Sequence, residues 1–166
     1  MRILVTNDDG VTAPGLLALA QEMCRLGNVT VLAPDRNWSA SGHVKTMERP
    51  LRVRETKLAD GSPALTTDGA PSDCVALALL GVVQEKIDLV VSGINPNANI
   101  GHDVTYSGTV TAAMEAVISN VKGIAVSLNS PEGPKEGLDY TTAASVARRV
   151  VEQVIANGLP DGVVLN

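Results

Sequence analysis

Two adjacent carboxylates, Asp8 and Asp9, stand where the first apolar run of the chain ends, in Thr6-Asn7-Asp8-Asp9-Gly10. Ile3-Leu4-Val5 reads as a buried strand, and Gly10 breaks it before a helix begins. In an open α/β sheet, ligands bind outside the carboxyl ends of the strands. Two anions side by side there repel by about 4 kcal/mol at an effective dielectric of about 20, unless a proton or a cation intervenes. A hard divalent cation with oxygen ligands, Mg²⁺ or Mn²⁺, would relieve that repulsion. The plainer alternative is a polar turn, for which Asn-Asp-Asp-Gly has suitable chemistry. Placement after a first strand sets the two readings level.

Further polar clusters fall at strand ends or helix starts. After a second β-rich run comes Pro34-Asp35-Arg36-Asn37-Trp38-Ser39-Ala40-Ser41-Gly42-His43. Ser39 or Ser41 offers a neutral oxygen to a cation, and Arg36 or His43 offers positive charge to an anion. The bland counterpart is a surface loop opened by Pro34. After a third run comes Ser92-Gly93-Ile94-Asn95-Pro96-Asn97-Ala98-Asn99. With the first strand adjacent, Asn95 can bring a carbonyl oxygen to the same cation. Ser107-Gly108-Thr109 opens a helix, where Ser107 or Thr109 is a natural N-cap worth about 1 kcal/mol. The same free N–H groups, hydroxyls and helix dipole make an anion site fit for phosphate. Ser72 and Asp73, near Pro71, read as capping residues. His102 reads either as a loop residue or as a general acid. Neither the Walker nor the Gly-x-Gly-x-x-Gly pattern occurs, which disfavours those two modes of nucleotide handling.

The elements that must carry these residues alternate. Residues 2–6, 29–33, 87–91, 124–127 and 163–165 are strand-like; residues 13–26, 71–83, 109–119 and 141–156 show helical spacing. Residues 44–67 read as irregular, with β-favouring pieces at 51–54 and 64–66, and residues 129–137 read as one mobile surface loop. Strands separated by helices imply right-handed βαβ crossovers and a doubly wound, mostly parallel sheet in one α/β domain spanning residues 1–166.

Composition narrows the function. The 166 residues are 45% hydrophobic but only 2% aromatic, with no Phe, so small aliphatic side chains must fill the core. A net charge of −5 argues against broad nucleic-acid binding, which needs a basic face. Cys24 and Cys74 form no metal-ligand pattern and read as buried free thiols of a reducing compartment. No apolar stretch is long enough to span a membrane, and the N-terminus lacks a signal-peptide layout, so a cytoplasmic location is expected.

The clusters resemble the SurE family (survival protein E), metal-dependent 5′-nucleotidases. The matching segments are residues 1–10 with Pro14-Gly15, Ala33-Pro34-Asp35-Arg36 with Ser39 and Gly42, residues 69–75, residues 88–95, and Ser107-Gly108-Thr109-Val110 with Ala112, Ala113 and Glu115. They stand in family order across most of the chain. The resemblance implies a Rossmann-like sheet and one divalent cation per chain, Mg²⁺ or Mn²⁺, held by Asp8, Asp9, Ser39 and Asn95. It further implies hydrolysis of nucleoside monophosphates to nucleoside and phosphate, with Asn95, Ser107, Gly108 and Thr109 near the phosphate, and a homo-oligomer, dimer or tetramer. Asp8 is then the carboxylate that orients or deprotonates the attacking water, and Asp9 is mainly a ligand.

Two departures stand out. Asn97 occupies a place where the family often has Gly, which leaves the roles of Asn97 and Asn99 open, as are those of His43 and His102. The chain also stops at Asn166, directly after an apparent interior strand, so it reads as the N-terminal catalytic core of a longer protein, expected to self-associate. Two rival readings remain: an aspartyl-phosphate phosphatase with Asp8 as nucleophile, whose spacing is not matched, and a phospho-ligand sensing module without turnover.

Overall fold

The computed structural model describes residues 1–130, 133 and 135–166. The expected loop at 129–137 therefore falls partly outside the described residues. The strands are β1 (Arg2–Thr6), β2 (Asn28–Pro34), β3 (Val53–Lys57), β4 (Pro63–Thr67), β5 (Leu89–Asn95), β6 (Lys122–Ser127) and β7 (Val164–Leu165). The helices are α1 (Pro14–Met23), α2 (Pro71–Leu77), α3 (Gly108–Ile118) and α4 (Thr141–Asn157), with a short 3₁₀ turn at Gly101–Thr105. Among the described residues the strands form one sheet in the order β3-β4-β2-β1-β5-β6-β7. All neighbouring pairs are parallel except β3 with β4.

Alternation along the central strand explains why both faces are covered. Ile3 and Val5 pack with Leu16 and Leu19 of α1 and Ala147 and Val151 of α4. Leu4 packs on the opposite face with Cys74 and Val75 of α2 and Ala112 and Ala116 of α3. Side chains of successive strand residues point to opposite faces, so a continuous apolar run needs two helical layers. The doubly wound α/β expectation is met.

Three local expectations are corrected. Residues 44–67 hold more order than expected, because β3 and β4 pair antiparallel and β4 adds to β2 in parallel. β5 does not stop at Ser92-Gly93 but runs to Asn95, which pairs with Ser127 beyond a register irregularity. Cys24, expected buried, is exposed at the end of α1, whereas Cys74 is buried.

Candidate active site

The carboxyl ends of β1, β2 and β5 meet the start of α3. After β1 the chain turns sharply, and the Asn7 amide braces the turn by accepting from Gly10 N (3.2 Å) and donating to Gly10 O (3.0 Å). Gly10 has φ +105°, and a Cβ there would stand 3.2 Å from the Arg36 carbonyl carbon, so the turn tolerates little else. Asp8 and Asp9 are thereby held rigidly, Asp8 almost fully buried and Asp9 partly so.

Asp8 sits against the α3 N-terminus. The Thr109 hydroxyl donates to Asp8 Oδ1 at 2.5 Å, with Thr109 itself fully buried. Burial pushes the Asp8 carboxyl up, while the Thr109 hydroxyl and the backbone N–H groups of Thr109 and Gly108 pull it back down. A Cβ on Gly108 would lie 2.7 Å from Asp8 Cβ and 3.1 Å from Pro71 Cγ; this close approach requires glycine. The sequence marks this helix start as a phosphate site; in the structure its donors face the Asp8 carboxyl. Ser107 is the N-cap, its hydroxyl oxygen accepting from Val110 N (3.2 Å).

Asp9, beside Asp8, has a different partner. Its Oδ1 accepts from Asn37 Nδ2 (3.3 Å), and burial together with the Asp8 charge pushes its carboxyl up to about 6. Tyr140, just before α4, has its phenol pushed up by burial and then by the charge of Asp9. Neither Asp8 nor Asp9 has an ion-pair partner among the described residues.

A cleft of about 230 Å³ opens on one side of Asp8, and Ser39, Asn95, Asn97, Asn99 and Ser107 share its wall with it. Asn95 Nδ2 donates to Asn97 O (2.6 Å), which leaves the amide oxygen as the group free to accept a bond or a cation. Asn99 Nδ2 donates to Ser127 Oγ (2.9 Å), tying this loop to β6. Of the residues singled out from sequence, Asp8, Ser39, Asn95 and Ser107 thus share one wall. Asp9 flanks it, and Gly108 and Thr109 lie behind Asp8. His102 is exposed on the 3₁₀ turn, and His43 lies apart from the cleft wall, bonded to Glu115. Sequence reasoning missed Asn37, Tyr140 and the Thr109–Asp8 bond. A residue of the turn after β1 and an α3 residue 101 positions apart carry no local signal of their contact.

The donors around the cleft are carboxylates, hydroxyls and amide oxygens, at the carboxyl end of a doubly wound sheet: the layout of a sheet-edge site for hard cations and polar ligands. The chain belongs to the SurE family, whose model, "Survival protein SurE", matches residues 3–166. It is 57% identical over 166 residues to the 5′-nucleotidase SurE of Herpetosiphon aurantiacus, a match covering all of this chain and 64% of that protein. It is 53% identical to the 5′-nucleotidase SurE of Chloroflexus aggregans, covering all of this chain and 65% of that one. The crystal structure of the SurE protein from Aquifex aeolicus superposes with a TM-score of 0.84 at 40% identity, over 97% of this chain and 62% of the other. The chain thus spans slightly under two thirds of the length of the curated relatives it matches.

Proposed function

We propose that this chain carries the catalytic core of a divalent-metal-dependent 5′-nucleotidase that hydrolyses nucleoside monophosphates to nucleoside and phosphate. The observation that carries the reading is Asp8, held at the α3 N-terminus on the same wall as Ser39, Asn95 and Ser107. The names of the two bacterial relatives support it.

The residues fit a hard cation. Two carboxylates lie together with no positive partner among the described residues, and the Asp9 carboxyl is raised to about 6 in part by its neighbour's charge. Asp8, Asp9, Ser39 and Asn95 would hold one Mg²⁺ or Mn²⁺, which when bound neutralises phosphate charge and acidifies water. Asp8 is then fixed by Thr109 and the α3 N–H groups, and burial makes its carboxylate more basic, so it can orient an attacking water and accept its proton. Ser107 already accepts from Val110 N, so its own proton is free to donate to a phosphate oxygen. The amide side chain of Asn95, braced on Asn97, closes the wall. Gly108 and Thr109 support phosphate chemistry through Asp8.

The same proposal includes a soluble nucleotide substrate, a cytoplasmic location and a homo-oligomer, dimer or tetramer in the full-length protein. Among the described residues no helix is long and apolar enough to cross a membrane. Self-association is supported by exposed Val146, which lies beside Leu165, and by exposed Val163.

A phosphate-release assay over several nucleoside monophosphates, with and without chelator, tests the reading. Turnover that chelator abolishes and Mn²⁺ or Mg²⁺ restores is expected. Metal-bound protein that binds nucleotides without releasing phosphate would refute it.

A further inference from the structure

Glu115 lies on α3, two turns beyond the site, and its side chain is only 4% exposed. A carboxylate so buried is unfavourable unless paired. Both of its oxygens are used, each on a different residue of one passing segment. Oε2 meets His43 Nε2 at 2.8 Å, and Oε1 meets Lys45 Nζ at 2.7 Å.

That segment is the strap between β2 and β3 that carries Ser39. It is tied to the helices at successive residues. Gly42 N donates to Tyr106 O (2.9 Å), and Gly42 O accepts from the Thr111 hydroxyl (3.0 Å). Val44 O accepts from the Ser72 hydroxyl, and Thr46 N and Oγ1 donate to Asp73 (3.0 and 2.7 Å). At the other end Trp38 N donates to Asp8 O at 2.7 Å. Ser39 and Ala40, the latter with φ +56°, therefore span the gap between two anchors. One anchor is Asp8 itself, and the other is α3, the helix that also holds the Asp8 carboxylate through Thr109.

We infer that Glu115 is a positioning residue: by holding His43 and Lys45 on α3 it sets the place of the Ser39 hydroxyl relative to the Asp8 carboxylate. The neighbouring polar ties are to backbone carbonyls or at the strap's far end, whereas Glu115 fixes two strap side chains at once. The inference rests on the cation reading above as far as Ser39 is a ligand. The position of the strap itself is independent of it.

The chain supplies its own reporter. Trp38 is the sole tryptophan, stands next to Ser39, and its Nε1 is buried without a hydrogen-bond partner among the described residues. Loosening the strap lets water reach that N–H and shifts the indole emission to the red. Glu115→Gln keeps the shape of the side chain but removes its charge, so the ion pair with Lys45 is lost and only one of its two terminal atoms can still accept. Lys45→Met, at a half-exposed position, breaks the cluster from the other side and stands in if Glu115→Gln does not fold.

The expected result is a red-shifted Trp38 emission in the folded variant and Mn²⁺ binding weakened by about tenfold, the lower end of what lost supporting contacts cost metal sites. In a Ser39→Ala background the Glu115 substitution should add little further loss, since its route through Ser39 is gone. Parental Trp38 emission overturns the inference, and so does a full tenfold loss that persists in the Ser39→Ala background. If the parent protein binds no Mn²⁺, the nucleotidase reading falls, and the Trp38 emission alone decides the inference.

Discussion

Thr109→Val tests whether the start of α3 acts through Asp8. The substitution keeps the side-chain shape and removes one hydroxyl that donates to Asp8 Oδ1 over 2.5 Å, in a site where both residues are buried. A hydrogen bond to a charged group contributes about 1.5–3 kcal/mol. Two backbone N–H groups, of Gly108 and Thr109, still face the carboxylate in the variant, so the lower half of that range applies. That corresponds to a fall of roughly 10- to 50-fold in kcat/KM. The assay is steady-state hydrolysis of a nucleoside monophosphate at saturating Mn²⁺, alongside calorimetric titration of Mn²⁺, because a carboxylate free to rotate should also hold a cation less well. Thr109→Ser retains the hydroxyl and should recover most of both. Parental kcat/KM and Mn²⁺ affinity in Thr109→Val would refute the reasoning and reduce Thr109 to a packing residue.

Asp9→Ala should abolish Mn²⁺ binding in calorimetry while the far-UV spectrum stays parental, since it removes a proposed ligand and little core packing. The Asp9 carboxyl is raised to about 6, so its folded-state contribution is present below about pH 4 and lost as pH rises through about 6. Metal-free Asp9→Asn should therefore melt above the metal-free parent at pH 7, a gap that closes toward pH 4. Gly108→Ala would drive a Cβ to 2.7 Å from Asp8 Cβ, and overpacking there should cost about 1–3 kcal/mol in denaturant unfolding, with a larger proportional loss of turnover. Asp68 is held down to about 2 by the Arg52 N–H and then by the Arg49 guanidinium, so it stabilises the fold above about pH 4 and stops doing so as pH falls through about 2. Asp68→Asn should accordingly unfold more easily than the parent at pH 7, with the difference shrinking between pH 4 and pH 2.

Much of the fold was legible because period and punctuation agree. Ile3-Leu4-Val5 ends at a polar turn, Pro71 opens α2, and α4 begins at Thr141, where the spacing places it. The β3–β4 hairpin was not legible, because Val53-Arg-Glu-Thr-Lys57 is half-exposed and lacks the apolar run that marks a central strand. β5 overran its expected end because Ser92, a good breaker in isolation, is buried and pairs with Thr6 of β1 and Ala125 of β6, with Gly93 buried in the irregular step that follows. Within the site, residue types pointed to Asp8, Asp9, Asn95 and either Ser39 or Ser41, because hard oxygen donors at strand ends are conspicuous; the choice of Ser39 came from the resemblance to the SurE family. The use of the α3 N–H groups was not legible: whether they face a bound phosphate or a side chain depends on how closely β1 approaches α3, and Gly108 sets that distance. Glu115 has no site signal of its own in the sequence, because its bonds to His43 and Lys45 depend on the course of a loop without periodicity.

In the proposed site Asp8, Asp9, Ser39 and Asn95 hold one cation beside the Ser107 wall. Anomalous scattering from crystals of the chain grown with Mn²⁺ tests it most directly. A single strong peak is expected, with oxygens of Asp8 and Asp9 at about 2.0–2.3 Å, in reach of Ser39 and Asn95 directly or through water. A peak bound elsewhere on the chain, with Asp8 and Asp9 left uncoordinated at saturating Mn²⁺, would contradict it.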